Sequence, residues 1–305
     1  MEGRIVAQDK QQLKELIALA IRENGIHCDL NFIDVSKVTD MSNLFVDDLA
    51  PEWKEEHDMG DLSISMFNGD ISKWDVSNVT NMSGMFKEAR FRKDIGNWNV
   101  SSVTNMSSMF SGALFDGDIS GWDVSNVTDM SNMFADSRFN GDISSWNVSH
   151  VTDMSEMFNG AKFDRDINNW NPSSSADKSW MFENSGIETA GKLPDWYKIV
   201  AKDREHLQDL IQKTIIRFGN NCDLNIIDVS NVTNLSYMFA DSKFNGDISR
   251  WDVSKATNMY AMFCNSEFKG DINRWDISNV TKMGRMFENS ALGRSANIPY
   301  WYKAG

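Results

Sequence analysis

The sequence predicts an α/β repeat fold, a solenoid of thin rungs of about 24 residues arranged as two tandem arrays, each opening with a strand and a helix that serve as its cap. Three observations carry that expectation. Tryptophans recur every 24 residues at Trp74, Trp98, Trp122, Trp146 and Trp170, and the same spacing separates Trp251 from Trp275. Each sits in nearly the same phrase, written FNGDISKWDVSNVTNMSGMF at 67–86 and FDGDISGWDVSNVTDMSNMF at 115–134. Finally, the stretch from Asp9 to Phe45 returns 194 residues later, from Asp203 to Phe239, with Cys28 falling on Cys222. A fixed period of this length marks repeats that share one core.

Within a repeat two apolar rhythms follow one another. Trp74 and Val76 flank Asp75 with the period of two expected of a half-buried strand. Val79, Met82, Met85 and Phe86 then recur at helical or 3₁₀ spacing, which predicts a return path with one apolar side. One strand and one tight return give a leucine-rich-repeat-like solenoid. The apolar burial of one such rung falls short of the entropy of ordering its backbone, so each holds only between neighbours.

Each array opens alike. An Ile-Val pair (Ile5 and Val6; Ile199 and Val200) reads as a strand, and Asp9 or Asp203 as a helix N-cap. Leu13, Leu16, Ile17 and Ile21, or Leu207, Leu210, Ile211 and Ile215, then share a helix face. The boundary falls near residue 198, which gives domains of 1–198, with about six rungs, and 199–305, with about three. A single continuous superhelix is the alternative. Just before the boundary, Pro172, Ser175 and Lys178 stand where other repeats carry Val, Val and Met, so a terminal rung is losing its apolar code. The first array is interrupted at 46–62 by an insertion holding Asp47, Asp48, Glu52, Glu55, Glu56, Asp58 and Asp61 against one Lys54. Insertions in repeat arrays emerge as loops on one face and often touch partners, so this one reads as an acidic contact surface, with a merely solvated loop as the alternative.

The phrase F-N-G-D-I-S-x-W-D-V-S-N-V-T-N-M-S-x-M-F resembles the bacterial surface-protein repeat found in BspA-like leucine-rich-repeat proteins and in mycoplasma lipoproteins. Seven near-copies cover about two thirds of the chain. The resemblance implies a solenoid that binds other macromolecules, in some relatives as an adhesin.

Composition narrows the function. The 305 residues carry 30 Lys and Arg against 44 Asp and Glu, a net charge of −14 that repels nucleic acid and favours a basic or neutral protein partner. No apolar run approaches the length that crosses a membrane, so membrane insertion is not expected. Charges at Glu2, Arg4, Asp9, Lys10, Lys14 and Glu15 occupy the place of a signal peptide's apolar stretch, which predicts a cytoplasmic protein, with the cell surface or secretion as the alternative. Three cysteines, Cys28, Cys222 and Cys264, suggest no disulfide framework.

Asp70, Asp94, Asp118, Asp142, Asp166, Asp247 and Asp271 share one repeat position. They read as acceptors for backbone N–H groups in a turn, with a row of Ca²⁺ ions as the alternative. No metal or other cofactor and no catalytic residue is expected, because His27, His57, His150 and His206 are scattered and no phosphate loop or nucleophile motif is present. The expected recognition face is the residues beside each Trp, taken as lining a concave sheet: Lys73, Asp75, Asn97, Asn99, Asp123, Asn147, Arg250, Asp252, Arg274 and Asp276, joined by Asp47, Asp48, Glu52, Glu55 and Glu56 of the insertion. The resulting expectation is a non-catalytic protein-interaction scaffold, in one form a cytosolic inhibitor or immunity-type factor. An adhesin or glycan binder and a calcium-stabilised structural coil are the alternatives.

Overall fold

Apolar residues at the predicted helix positions organise the start of each half of the chain. The computed structural model describes residues 4–295 and 297–302. It divides into two compact modules, Met1–Trp196 and Tyr197–Gly305. In the first, β1 (Ile5–Val6) is followed by α1 (Lys10–Asn24) and by β2 (Ile33–Asp34), which pairs parallel with β1, Ile5 opposite Ile33. Asp9 caps α1 by accepting the Gln12 N–H at 2.9 Å, and Gly25, at φ 81°, ends it. Leu13, Ile17 and Ile21 are buried beneath it. A six-residue helix, α2 (Pro51–Glu56), lies in the insertion, and α3 (Gly186–Thr189) follows the last repeat. The second module repeats the opening: β3 (Ile199–Val200), α4 (Arg204–Phe218) capped by Asp203 through the His206 N–H at 2.8 Å, and β4 (Ile227–Asp228) parallel to β3.

Little of the backbone between these elements is regular, yet it is densely bonded. The alternation around Trp74 and Val76 predicts a strand, and the structure has none there; the spacing from Val79 to Phe86 predicts a helical return, and that segment carries the links between repeats instead. The N–H groups of Met82, Gly84, Phe86 and Glu88 donate to the carbonyls of Asn105, Ser107, Met109 and Ser111 one repeat on, at 2.7–2.9 Å. Alternate residues close turns within the repeat, as Met85 N–H does on Met82 O. Asn81, Asn105, Asp129, Asp153 and Asp177 accordingly form successive parallel bridges.

The physical reason lies in a triplet that occurs three times per repeat, an Asp or Asn, an apolar residue, then usually Ser. Asp70 Oδ1 accepts the Ser72 N–H, Asp75 Oδ1 that of Ser77, and Asn81 Oδ1 that of Ser83, at 2.9, 3.1 and 3.0 Å. Each is a side chain imitating a backbone turn. Such a turn projects its middle residue (Ile71, Val76 or Met82) into the core, reproducing the alternation of a strand without one.

Side chains from successive repeats stack in columns. Trp146 is 4% exposed, lies 6.4 Å from Trp170 at an interplanar angle of 5°, and donates its Nε1–H to the Ile119 carbonyl of the preceding repeat at 3.2 Å. The same bond joins Trp98 to Ile71 and Trp122 to Ile95, and Trp251 to Leu224 and Trp275 to Ile248 in the second module. Phe86, Phe110, Phe134 and Phe158 form a second column at 5.6–5.7 Å spacing. Trp196 and Trp301 end the two indole columns, bonding to Ile167 and Ile272.

Candidate functional site

The residues beside each Trp are all solvent-exposed: Lys73, Asp75, Asn97, Asn99, Asp123 and Asn147 on the first module, Arg250, Asp252, Arg274 and Asp276 on the second. They lie on turns, and the predicted concave sheet beneath them is not there, because the lateral bonds run through the Thr80–Glu88 segment and its equivalents. Their side chains are partly committed to the backbone. Asp75 Oδ1 accepts both the N–H and the hydroxyl of Ser77, at 3.1 and 2.6 Å, and Asn99, Asp123 and Asn147 hold Ser101, Ser125 and Ser149 in the same way. The Ser125 hydroxyl and N–H keep the Asp123 carboxyl below its ordinary value, and the Ser278 backbone and hydroxyl do the same for Asp276. The row is thus a face of fixed geometry: the Lys73 N–H bonds to Asn31 Oδ1 and the Arg250 N–H to Asn225 Oδ1, both at 2.8 Å.

The insertion is more structured than a loop. Leu49 and Met59 are buried on either side of α2, Pro51 at its start supplies the fixed φ that a first helical turn accepts, and Trp53 stacks on His57 at 4.1 Å. Asp47 and Asp48, expected to face a partner, are held within the chain: Asp47 pairs with Lys54 at 2.6 Å and Asp48 with Lys14. The reason is Lys14, which projects from α1 with only 6% of its side chain exposed and also donates to the Asn43 carbonyl at 2.8 Å. Burial pushes its amine below the ordinary value against the pull of Asp48, so a counter-charge has to sit beside it. That leaves Glu52, Glu55 and Glu56 as the exposed acidic face of α2.

The repeated aspartates accept the N–H two residues on, from Gly96 to Asp94 at 2.8 Å and from Ser120 to Asp118 at 2.9 Å. Bonds from the Ser120 backbone and hydroxyl hold the Asp118 carboxyl low, as those from Ser144 hold Asp142. Among the described residues no three His, Cys, Asp or Glu side chains gather as a metal site. The three cysteines are free, and burial raises the thiols of Cys28 and Cys222.

Reading the sequence missed the second and third turns of each repeat and the role of Lys14. The triplets Asp-Ile-Ser, Asp-Val-Ser and Asn-Met-Ser were the available clue to the turns. A Lys amid the apolar positions of α1, facing an acidic insertion, was the clue to the buried pair.

A family model described as Mycoplasma protein of unknown function, DUF285, matches the chain at residues 57–137, 113–198 and 205–301. No curated protein and no solved structure matches it.

Proposed function

The chain belongs to the DUF285 family of Mycoplasma proteins of unknown function, and on that footing we propose that it is a non-catalytic protein-interaction scaffold, a solenoid whose repeats are kin to those of BspA-like leucine-rich-repeat proteins. The observation that carries the reading is the row beside the tryptophans. Its members recur at the two positions that flank each Trp, are exposed, and stand on backbone fixed by turns. Ordered polar groups at a regular pitch lose little freedom when a partner covers them, which favours binding. In the first module the acidic face of α2, with Glu52, Glu55 and Glu56, adds long-range attraction for a basic or neutral protein.

The test is a calorimetric titration of basic, neutral and acidic proteins against the wild-type chain, a Glu52→Gln, Glu55→Gln, Glu56→Gln triple variant and an Asn99→Ala, Asn147→Ala double variant. The proposal expects saturable binding of a basic or neutral protein, weakened at least tenfold in one variant or both. Indifference of the bound basic or neutral protein to all these changes sinks it.

A further inference from the structure

The ladder that links the repeats has chemically different ends. Every repeat donates N–H groups to the carbonyls of the next one along the chain, so the first repeat of a module is left with unmatched carbonyls and the last with unmatched N–H groups. At the carbonyl end, cations from the cap helices engage the first repeat: Arg204 donates to the Ser236 carbonyl at 3.0 Å, and Lys10, at the same place in α1, donates to Asp40 Oδ2 and Ser42 Oγ at 2.9 and 2.8 Å. At the N–H end of the first module, Glu188 Oε2 accepts from Asn184 at 2.8 Å. There Ser175 and Lys178 also replace the repeat's apolar side chains, and the Lys178 amine turns onto the Ser173 and Ala176 carbonyls.

The last repeat of the second module has no such ending. The N–H groups of Met259, Ala261, Phe263 and Asn265 donate to Lys282, Gly284, Met286 and Glu288 at 2.8–3.0 Å, but those of Met283, Arg285, Phe287 and Asn289 donate to no described residue. Gly293 stands where the first module has Glu188. Ile277, Val280 and Met283 keep the apolar code and are only half-buried, whereas Val124, Val127 and Met130 at the same positions are 1%, 0% and 0% exposed. Trp301 and Tyr302 cover the aromatic columns at this end through Phe287, at 6.4 and 4.8 Å. The valine and methionine columns stay open.

The charge of this edge is inverted. Lys282 stands where the other repeats carry Asp or Asn, from Asp40 and Asn81 to Asn234 and Asn258, and the same segment carries Arg285, which pairs with Glu288 at 3.3 Å, and Arg294, which donates to the Asn289 carbonyl, in a chain whose net charge is −14. We propose that the edge formed by Met283, Arg285, Phe287 and Asn289 is a docking site for an extended acidic segment of a partner protein. Its carbonyls would take the four N–H groups, alternate apolar side chains would cover Val280 and Met283, and its carboxylates would face Lys282 and Arg285. A second copy of this chain fits poorly: two such edges would meet N–H to N–H, and the opposite edges are engaged by the cap helices, through Lys10 on Asp40 and Ser42 and Arg204 on the Ser236 carbonyl.

The probe is fluorescent acetyl-Glu-Val-Asp-Val-Glu-amide, titrated by polarisation against the full chain beside an analogue with Lys at the acidic positions. The site predicts saturable one-to-one binding, at least tenfold weaker for the Lys analogue, with amide NMR shifts concentrated at Met283, Arg285, Phe287 and Asn289. Lys282→Asp, which restores the residue type of the other repeats, is expected to fold normally and to weaken binding at least threefold. Val280→Ser with Met283→Lys, copied from the first module's end, is expected to abolish it. The inference is overturned if the acidic peptide does not bind, if both peptides bind alike, if the shifts fall elsewhere, or if sedimentation shows a dimer that the double variant dissolves.

Discussion

Replacing Trp146 by Phe removes two interactions whose sizes follow from the structure. The Ile119 carbonyl loses its 3.2 Å indole donor and keeps the Trp122 N–H at 3.1 Å as its other donor. Losing one of its two hydrogen bonds costs about 0.5–1.5 kcal/mol. The phenyl ring also leaves part of the indole's volume empty against Trp170 and Phe134, 6.4 and 6.3 Å away. That adds about 1 kcal/mol, a fraction of the cost of truncating a buried aromatic to Ala. The expected loss is therefore about 1.5–2.5 kcal/mol. Urea unfolding followed by far-ultraviolet circular dichroism reads it as a lower midpoint at unchanged slope. Trp301→Phe is the internal control, because that indole is half-buried at the end of its column, and it should cost about half as much or less. A Trp146→Phe loss below about 0.5 kcal/mol, smaller than an ordinary hydrogen bond, would show that the indole column does not hold the repeats together.

Other changes test other parts of the structure. Gly69→Ala should be strongly destabilising, since a Cβ there would meet the Cys28 carbonyl oxygen at 1.9 Å, whereas Gly117→Ala should be milder because its new Cβ meets the Phe115 ring at 2.7 Å and no backbone, a contact that other repeats accommodate beside a larger side chain; thermal melts rank them, and equal effects contradict the reading. Lys93 and Arg165 occupy the same repeat position without difficulty, away from the cap. The carboxyls of Asp118, Asp142 and Asp276 sit below the ordinary value of 3.8 when folded, so their contribution is intact above that pH and drains away as pH falls through the lower folded values. Asp118→Asn with Asp142→Asn keeps the turns, as Asn99 and Asn147 do naturally, and should move the acid-unfolding midpoint to lower pH; a midpoint that stays or rises contradicts this. Asp48→Ala strands the buried Lys14 amine and should cost about 1–3 kcal/mol, discounted because Asp48 is itself 55% exposed, with Lys14→Met restoring much of it in the double variant. Absence of that rescue in urea melts would mean that the pair is incidental.

Much of the core was legible because each apolar position of the phrase has one fate. Trp, Val, Met and Phe of the central repeats are almost wholly buried, and the residue between Trp and Val is exposed. The helices behind Asp9 and Asp203 were equally readable, having a cap, a face and a terminal glycine. The backbone between them was not. A period of two is shared by a strand and by consecutive side-chain-capped turns, and only the triplet of Asp or Asn, apolar residue and Ser separates the two. Left-handed residues at Ser108, Asn132 and Glu156, with φ of 55°, 56° and 56°, let the turns link up and leave no pattern of residue type to read. For the candidate face, exposure was predictable and its support was not. Asp47 and Asp48 resembled Glu52 and Glu55 in the sequence, and only their partners in the fold, Lys54 and the buried Lys14, tell them apart.

Shortening the array by whole and by half periods measures the dependence of each repeat on its neighbours most directly. Deleting residues 113–136 joins Gly112 to Ser137 in register, since Gly112 and Asp136 hold the same left-handed position with φ of 65° and 54°. Equilibrium urea unfolding should show a folded chain with a modestly lower midpoint and a shallower slope, because less surface is exposed on unfolding. Deleting residues 113–124 alone should leave the first module unfolded, and a peptide of residues 113–136 should show no structure by circular dichroism. A half-period deletion as stable as the whole one, or a lone repeat that folds, would contradict the mutual support on which the fold depends.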